Sequence, residues 1–312
     1  MKKLAVIALG GNALLRGNQI GTIKEQEENT YRTCINIVDF IKRGYNVVIT
    51  HGNGPQVGNI LLRNEAGFDS YKIPKMPLDI CVADSQGGIG YMLERQLKNI
   101  LTEKNIKKNV ITIVTQVLVE EKDPAFQNPT KPVGKYFIKE EADLLARVNN
   151  WVFNEDPRKR GYRRVVASPK PKDIINKDII KDLAKKGNII IAVGGGGIPV
   201  IQHEGKLLGI EAVIDKDLAS SLLANEIGAD EFIILTDIPK VCINFHQPNE
   251  KQIDQMTVRT VQKYQKQGHF AAGSMGPKIE AVLTFIKHGG SSGTITEANE
   301  LRNPDAGTRI IP

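Results

Sequence analysis

Cysteine, aromatic residues and long apolar runs are all scarce in this sequence. Its 312 residues include three cysteines, Cys34, Cys81 and Cys242, which are widely spaced and form no CxxC pair. This pattern indicates neither a disulfide framework nor a cysteine zinc site, and it is typical of a reducing compartment. No run approaches about 18 consecutive apolar residues, and the start, MKKLAVIALGGN, lacks the cleavage pattern of a signal peptide. We therefore expect a soluble, cytoplasmic protein without membrane segments.

Positive charge is concentrated in one segment. The formal net charge is +7, from 42 Lys and Arg against 35 Asp and Glu. Residues 158–172, RKRGYRRVVASPKPK, hold seven of the basic residues and no acidic one, so the rest of the chain is balanced. The segment is either a solvated basic surface or an attractor of a small anionic substrate or nucleotide. Nucleic acid is the least favoured partner, and we expect none.

Apolar segments of strand length alternate with helical patterns. The strand candidates are KKLAVIAL, YNVVIT, NVITIVT, NIIIAV, EFIILT, GTIT and TRII. Apolar spacing predicts helices over residues 31–41, 80–102 and 277–288. This alternation is typical of βαβ units around a mostly parallel sheet. Residues 120–171 interrupt it with prolines, polar residues and six aromatic side chains, and we expect an inserted subdomain or lid there.

Three glycine clusters follow strand candidates. They are LGGN at residues 9–12, HGNGPQVG at 51–58 and VGGGG at 193–197. Loops after parallel strands gather at one edge of the sheet, so the three loops can face one crevice. Glycine lets backbone N–H groups approach a phosphate closely. The pattern favours a phosphate site, although neither a Walker A sequence nor a complete dinucleotide fingerprint is present.

Two lysines lie where helices should begin. Lys216 occurs in AVIDKDLAS, and Lys278 follows the proline of GSMGPKI. A cation at a helix N-terminus opposes the macrodipole by about 0.3–1 kcal/mol, whereas a bound anion would reverse the sign. Asp215 and Asp217 flank Lys216 and can cap the helix or hold lysine ammonium groups toward phosphate oxygens. The two roles are compatible.

The end of the strand candidate EFIILT offers a nucleotide site. Thr236 and Asp237 close this strand, and Lys240 lies in the loop that follows. These residues suit contacts to a base or ribose. The five histidines form no HxxxH or triad arrangement, and only His51 adjoins a glycine loop.

Taken together, the motifs resemble the carbamate kinases, a branch of the amino acid kinase family. The resemblance rests on ALGGNALL, THGNGPQVG, DPAFQNPTKPVG, GYRRVVASPKP, AVGGGGIPV, AVIDKDLAS, LTDIPKV and AAGSMGPKI, in this order over residues 4–311. It implies an open αβα sandwich with a protruding subdomain, one amino acid kinase domain over residues 1–312, and a homodimer. It also implies a reversible, Mg²⁺-dependent reaction in which ATP and carbamate give ADP and carbamoyl phosphate, run toward ATP in arginine degradation.

The resemblance also implies roles for individual residues. The transfer itself would use Lys131, Lys216, Asp217 and Lys278. The small substrate and the phosphoryl group would lie against Gly10, Gly11, Asn12, Gly52, Asn53, Gly54, Gly195 and Gly196. The nucleotide would lie against Asp215, Thr236, Asp237, Lys240, Met275 and Gly276. No residue is assigned to a metal, because Mg²⁺ would be held mainly by nucleotide phosphates.

Two alternatives stay open. One is another amino acid kinase, acting on acetylglutamate, aspartate or UMP, which would need a pocket for a larger substrate. The other is a non-catalytic nucleotide sensor with the same fold. The presence of Lys131, Lys216, Asp217 and Lys278 disfavours the sensor, because a sensor needs no transfer machinery.

Overall fold

The computed structural model describes residues 2–15, 19–156, 159–271 and 273–312, and the side chain of Asn12, a predicted site residue, lies outside the described part. The α-helices are α1 (Ile23–Lys42), α2 (Gln56–Tyr71), α3 (Leu78–Glu103), α4 (Lys139–Asn149), α5 (Lys177–Lys185), α6 (Lys216–Glu226), α7 (Val258–Lys266) and α8 (Met275–Lys287). The strands are β1 (Leu4–Leu9), β2 (Asn46–His51), β3 (Val110–Thr112), β4 (Gln116–Val119), β5 (Lys131–Phe137), β6 (Val152–Glu155), β7 (Tyr162–Val166), β8 (Pro171–Ile174), β9 (Ile189–Ile191), β10 (Ile198–His203), β11 (Lys206–Gly209), β12 (Glu231–Thr236), β13 (Cys242–Ile243), β14 (Lys251–Gln252), β15 (Gln255–Thr257), β16 (Ser292–Glu297) and β17 (Thr308–Ile311).

Eight of these strands form the central sheet. Their order across it is β15-β17-β16-β12-β1-β2-β9-β3. Neighbouring strands are parallel except for the antiparallel pair β16 and β17. All seven strand candidates from the sequence lie in this sheet, so the predicted mostly parallel sheet is confirmed.

Helices cover both faces of the central sheet. Successive side chains of a strand point to opposite faces, and both faces are buried here. In β1, Val6 and Ala8 pack with α5, α6, α7 and α8. Ile7 and Leu9 pack with α1 and α3 on the other face. The architecture is the predicted αβα sandwich.

Two helices differ from the sequence expectation. Helix α1 begins eight residues before the predicted start, because Thr22 and Glu25 form a capping box that apolar spacing does not reveal. Helix α2 was not predicted, since within it only Val57 and Gly58 are buried and no apolar stripe exists. The glycine loop after β2 therefore ends at Pro55, and Gly58, which the sequence assigned to that loop, lies in the first turn of α2.

The predicted insertion contains a small subdomain, residues 131–166. Strands β5, β7 and β6 form its three-stranded sheet, and α4 packs on that sheet. Phe137 and Phe153 meet edge to face with ring centres 5.5 Å apart, which gives the subdomain a core of its own. Strands β4 and β8, which pair antiparallel in a second sheet with β10 and β11, lead into and out of this region.

The protruding subdomain contacts the body of the protein through an apolar cluster that includes Val133 and Val57, and through two glycines. A Cβ atom on Gly58 of α2 would lie 2.8 Å from the Cα atom of Gly134 in β5. The two backbones are therefore in direct contact, and glycine is required for this approach.

No helix in the described ranges is long and apolar enough to cross a membrane.

Candidate active site

The loops after β1, β2, β9 and β12 meet at one edge of the central sheet. These strands are neighbours and parallel, so their carboxyl ends lie side by side although they are distant in sequence. The loops border a cavity of about 400 Å³. The predicted site residues that line it are Gly11, Gly52, Asn53, Gly54, Lys131, Gly195, Asp215, Lys216, Asp217, Thr236, Asp237 and Lys278.

Asp217 is the centre of a charged cluster in this cavity. Its carboxylate is 4% exposed and accepts hydrogen bonds from Lys216 Nζ at 2.5 Å and Lys278 Nζ at 3.0 Å. Lys216 begins α6 and Lys278 lies in the first turn of α8, so the carboxylate joins two helix N-termini. Asp215 caps α6, since its Oδ1 accepts from the backbone N–H groups of Asp217 and Leu218. Asp217 therefore holds two lysines, and Asp215 caps the helix.

Lys131 connects the protruding subdomain to the same cluster. It is the first residue of β5, and its Nζ lies 2.9 Å from Asp215 Oδ2. Asp215 thus uses one carboxylate oxygen for the helix cap and the other for the subdomain. Three lysines from three separate segments converge on two aspartates, which leaves one excess positive charge.

Burial and charge act in opposite directions on the central aspartate. Burial alone would raise the pKa of Asp217, but the charges of Lys216 and Lys278 outweigh it and lower the pKa to about 2. Burial also lowers the pKa of Lys216, and the charge of Asp217 opposes that change. A phosphate group placed beside Lys216 would favour its charged form. The cluster is therefore suited to an anionic ligand.

The loop after β9, residues 193–197, has an unusual backbone conformation. Val193 has a φ of 52° and Gly195 a φ of 70°. Glycine adopts this left-handed region freely, whereas a β-branched residue pays on the order of 1–3 kcal/mol. The Thr115 hydroxyl accepts a hydrogen bond of 3.0 Å from the Val193 N–H and holds the residue there. A Cβ atom on Gly195 would lie 2.0 Å from Asn53 Oδ1, so this loop packs directly on the loop after β2.

Two predicted glycines lie beside the cavity without lining it. The N–H of Gly10 donates to the Leu235 carbonyl at 3.0 Å, and the N–H of Gly196 donates to the Val193 carbonyl at 3.2 Å. A Cβ atom on Gly196 would lie 2.4 Å from the carbonyl oxygen of Ile214. Both glycines serve close backbone packing. The N–H of Gly196, expected to face the phosphoryl group, is already used within the protein.

The nucleotide-side candidates divide between the cavity and its surroundings. Thr236 and Asp237 line it, and the Thr236 hydroxyl donates to Asp237 Oδ1 at 3.1 Å. Lys240 instead forms an ion pair with a solvent-exposed aspartate. Met275 and Gly276 begin α8 but do not line the cavity. They lie in the same first helical turn as Lys278.

Three buried polar residues that hold the glycine loops were not predicted from the sequence. The Gln86 side chain donates to the Thr115 carbonyl at 3.0 Å and accepts from the Thr115 N–H at 2.8 Å. The neighbouring Ser85 lies 2.6 Å from the side chain of Asn53. Ser85 and Gln86 follow the buried Val82 by three and four residues, on the core-facing side of α3. Polar residues at core-facing positions of a helix were the sequence signal that could have identified Ser85 and Gln86.

His51 lies between two of the glycine loops. Its Nδ1 is 2.9 Å from the Gly52 carbonyl oxygen, which can only accept, so Nδ1 carries the proton. Burial lowers the pKa of His51 to about 4, and the Lys216 charge adds to the lowering. A Cβ atom on Gly194 would lie 2.5 Å from Nε2. The neutral ring therefore packs the loops against one another.

Arginines of the basic segment, residues 158–172, make contacts inside the protruding subdomain. The Arg164 guanidinium lies 4.2 Å from the ring centre of Trp151. Arg160 makes two hydrogen bonds of 2.9 Å to a carboxylate of the subdomain. These arginines thus stabilise the subdomain itself, while Arg158 lies outside the described residues.

A larger cavity of about 770 Å³ lies between α1, α2 and α3. Gln56 and Ser85 line it, but the three lysines of the charged cluster do not. In the part of the chain that the structure describes, no group of three or more His, Cys, Asp or Glu side chains could hold a metal ion. The charged groups suited to phosphate chemistry are in the smaller cavity.

Comparison with known proteins agrees with the geometry. Residues 3–297 match the model of the amino acid kinase family. The chain is 48% identical to the carbamate kinase of Pyrococcus furiosus over the whole of both chains, and 50% identical to that of Thermococcus kodakarensis over 99% of both. The solved structure of carbamate kinase from Giardia lamblia bound to AMP-PNP is similar with a TM-score of 0.92 and 43% identity, over 99% of this chain and 98% of that chain.

The fold is that of the amino acid kinases. The chain belongs to the amino acid kinase family and, within it, to the carbamate kinase branch. The family and the fold predicted from the sequence motifs are therefore confirmed.

Proposed function

We propose that this protein catalyses reversible phosphoryl transfer, in which ATP and carbamate give ADP and carbamoyl phosphate, and that it runs toward ATP in the cell. The observation that carries the proposal is the convergence of Lys131, Lys216 and Lys278 on one cavity bordered by glycine loops. Two relatives that match this chain over its length at 48 and 50% identity are named carbamate kinases, which supports carbamate as the acceptor.

The charged cluster suits the chemistry of this transfer. The transferred phosphoryl group passes through a loose transition state whose charge lies on its oxygens, so the protein mainly positions and stabilises charge. Lys216 and Lys278, both held by Asp217, would contact the nucleotide phosphates. Lys131 would contact the transferred group from the subdomain side. Direct in-line transfer needs no covalent nucleophile.

The nucleotide would bring Mg²⁺ into the cavity. The carboxylates of Asp215 and Asp217 are engaged by lysines and by the α6 cap. Among the described residues, Asp237 has a hydrogen bond to Oδ1 only, which leaves Oδ2 for the ion or its water. A single free carboxylate oxygen fits an ion held mainly by phosphates and water. When bound, Mg²⁺ would neutralise part of the phosphate charge.

Substrate profiling tests this function against its alternatives. ATP formation from ADP, Mg²⁺ and carbamoyl phosphate is the expected activity. In the other direction, ATP consumption is measured with N-acetylglutamate, aspartate and UMP. Activity on one of these three but not on carbamoyl phosphate would identify another branch of the family, and no activity on any would support a sensor.

Lysine variants test the roles within the site. Lys131→Ala and Lys216→Ala should each lower turnover by about 10²–10³-fold, because each removes a cation from the developing charge. Lys177→Ala is the control, since Lys177 pairs with Asp173 and Glu226 outside the cavity. Near wild-type turnover in both site variants, with the fold intact, would overturn the assignment.

We also propose that the insertion, residues 120–171, closes over the bound substrates. Carbamate and carbamoyl phosphate react with water, so excluding water is useful. The contact between Lys131 of this segment and Asp215 of the body supports the proposal. Hydrogen exchange across the segment should slow when ADP and carbamoyl phosphate are added together. Equal exchange with and without them would count against closure.

A homodimer is the assembly we propose. Strand β3 is at the edge of the central sheet, and Val114 just beyond it is 53% exposed. An apolar sheet edge of this kind is suited to pairing with a second copy. Light scattering should give twice the chain mass of 34.4 kDa, and Val114→Asp should shift it toward the monomer. A wild-type monomer at micromolar concentration would exclude the dimer.

A further inference from the structure

A buried hydrogen bond joins α3 to the glycine loop after β2. Ser85 Oγ lies 2.6 Å from Asn53 Oδ1 and 2.8 Å from the carbonyl oxygen of Val82. Ser85 is 2% exposed and Asn53 is 8% exposed. Asn53 lines the charged cavity and Ser85 lines the larger cavity behind it. The bond therefore lies in the wall between the two cavities.

The surroundings determine which way the Asn53 amide faces. Its Nδ2 lies 3.4 Å from the carbonyl oxygen of Gly195, which can only accept. The opposite orientation would bring two oxygens together at Gly195. With nitrogen at Gly195, the amide oxygen faces Ser85. The single hydroxyl hydrogen of Ser85 is then shared between Asn53 Oδ1 at 2.6 Å and the Val82 carbonyl oxygen at 2.8 Å.

This orientation leaves one amide hydrogen for a ligand. Nδ2 carries two hydrogens, and among the described residues its one acceptor is the Gly195 carbonyl. We propose that Ser85 is a positioning residue, whose hydroxyl holds the Asn53 amide so that this N–H faces the transferred phosphoryl group. The inference rests on the proposed function, because that reaction supplies the anion.

Loss of the serine hydroxyl would release the amide. The buried Asn53 oxygen would lose its donor, and the amide could rotate to present oxygen toward the phosphoryl oxygens. A donor aimed at developing charge would then be replaced by a repulsive contact. In the proposed site the nucleotide phosphates would contact the lysines and not this amide, so ADP affinity should stay unchanged while turnover falls.

A double-mutant cycle tests the proposal. Ser85→Ala, Asn53→Ala and the double variant are compared with wild type for ATP formation from ADP and carbamoyl phosphate. We expect Ser85→Ala to lower kcat by about tenfold and Asn53→Ala by about a hundredfold. In the Asn53→Ala background, Ser85→Ala should change kcat by less than about twofold, because Ser85 acts through the Asn53 amide and that amide is absent there. The ADP dissociation constant should stay within about twofold in Ser85→Ala.

Ser292→Ala is the matched control for loss of a buried hydroxyl. Ser292 is 3% exposed and contacts Arg309. It is the first residue of β16, so it lies at the amino end of its strand, away from the loops that border the charged cavity. Its kcat should match wild type. An equal loss from Ser85→Ala in both backgrounds, or unchanged kcat in the single variant, would overturn the inference. A wild-type protein that forms no ATP from carbamoyl phosphate would instead refute the proposed function.

Discussion

Replacing Asp217 by asparagine is expected to destabilise the ligand-free protein strongly. The carboxylate is 4% exposed and lies 2.5 and 3.0 Å from the ammonium groups of Lys216 and Lys278. Asparagine keeps the shape but leaves two largely buried cations without their shared counter-charge. Removing one partner of a buried ion pair costs about 3–5 kcal/mol. We expect a loss in this range at pH 7.

The destabilisation should decrease as pH rises. Without Asp217, burial and the charge of Lys278 hold the pKa of Lys216 below that of the unfolded chain. The folded variant then binds fewer protons than the unfolded one between the two pKa values. Its free energy of unfolding therefore increases with pH in that window. An increase of the free energy of unfolding with pH distinguishes an uncompensated buried charge from a simple loss of packing, which has no such pH dependence.

Urea unfolding followed by circular dichroism, at pH 7 and pH 9, measures both effects. Asp39→Asn is the matched control, because Asp39 also faces two lysines, Lys42 at 3.9 Å and Lys104 at 3.7 Å, but is 34% exposed. Exposed pairs contribute about 0–1 kcal/mol. If Asp217→Asn lost no more stability than Asp39→Asn, the buried-charge reasoning would be refuted.

Three further substitutions test other contacts. Gly58→Ala places a Cβ atom 2.8 Å from the Cα of Gly134, so it should displace the subdomain and lower turnover by up to about 10²-fold. Gly67→Ala is its control: the added Cβ atom makes only ordinary contacts, so turnover should not change. His51 has a folded pKa of about 4 against its usual 6.5, so its contribution to stability is complete above pH 6.5 and is lost as pH falls through 4. His51→Asn should remove about 3 kcal/mol of pH dependence from unfolding measured across that window. Thr115→Val leaves a buried N–H without its acceptor and should cost about 1–3 kcal/mol in urea unfolding, and an unchanged midpoint would contradict this.

The central sheet could be predicted because its strands are continuous apolar runs with buried residues on both faces. Helix α3, predicted over residues 80–102, is found at Leu78–Glu103 for a similar reason, since its apolar stripe spans nearly its whole length. The lysines at helix starts could also be located, because the order of strand, loop and helix fixes where a helix begins. Local pattern was sufficient for these features.

Contacts between distant segments could not be predicted in this way. Ser85 and Asn53 are 32 residues apart, and Gln86 and Thr115 are 29 apart, so no spacing rule connects them. Helix α2 had no apolar stripe because much of its surface borders cavities and the subdomain. The N–H of Gly196 is not available to a ligand because it donates to the carbonyl of Val193, which has a left-handed backbone conformation. A run of glycines in the sequence does not predict this turn.

The strength of the ion pair between Lys131 and Asp215 determines how often these two side chains are in contact. The two side chains are 33% and 20% exposed, and a pair of this kind contributes about 0–1 kcal/mol, a factor of about five at most in an equilibrium. This ion pair therefore adds little to the apolar packing that Val133 and Val166 of the subdomain make with the body. An anion that contacts Lys131 and the α6 and α8 lysines together would add far more, so the position of the Lys131 ammonium group follows the ligand concentration. Release of the product then has no strong ion pair at Lys131 to break.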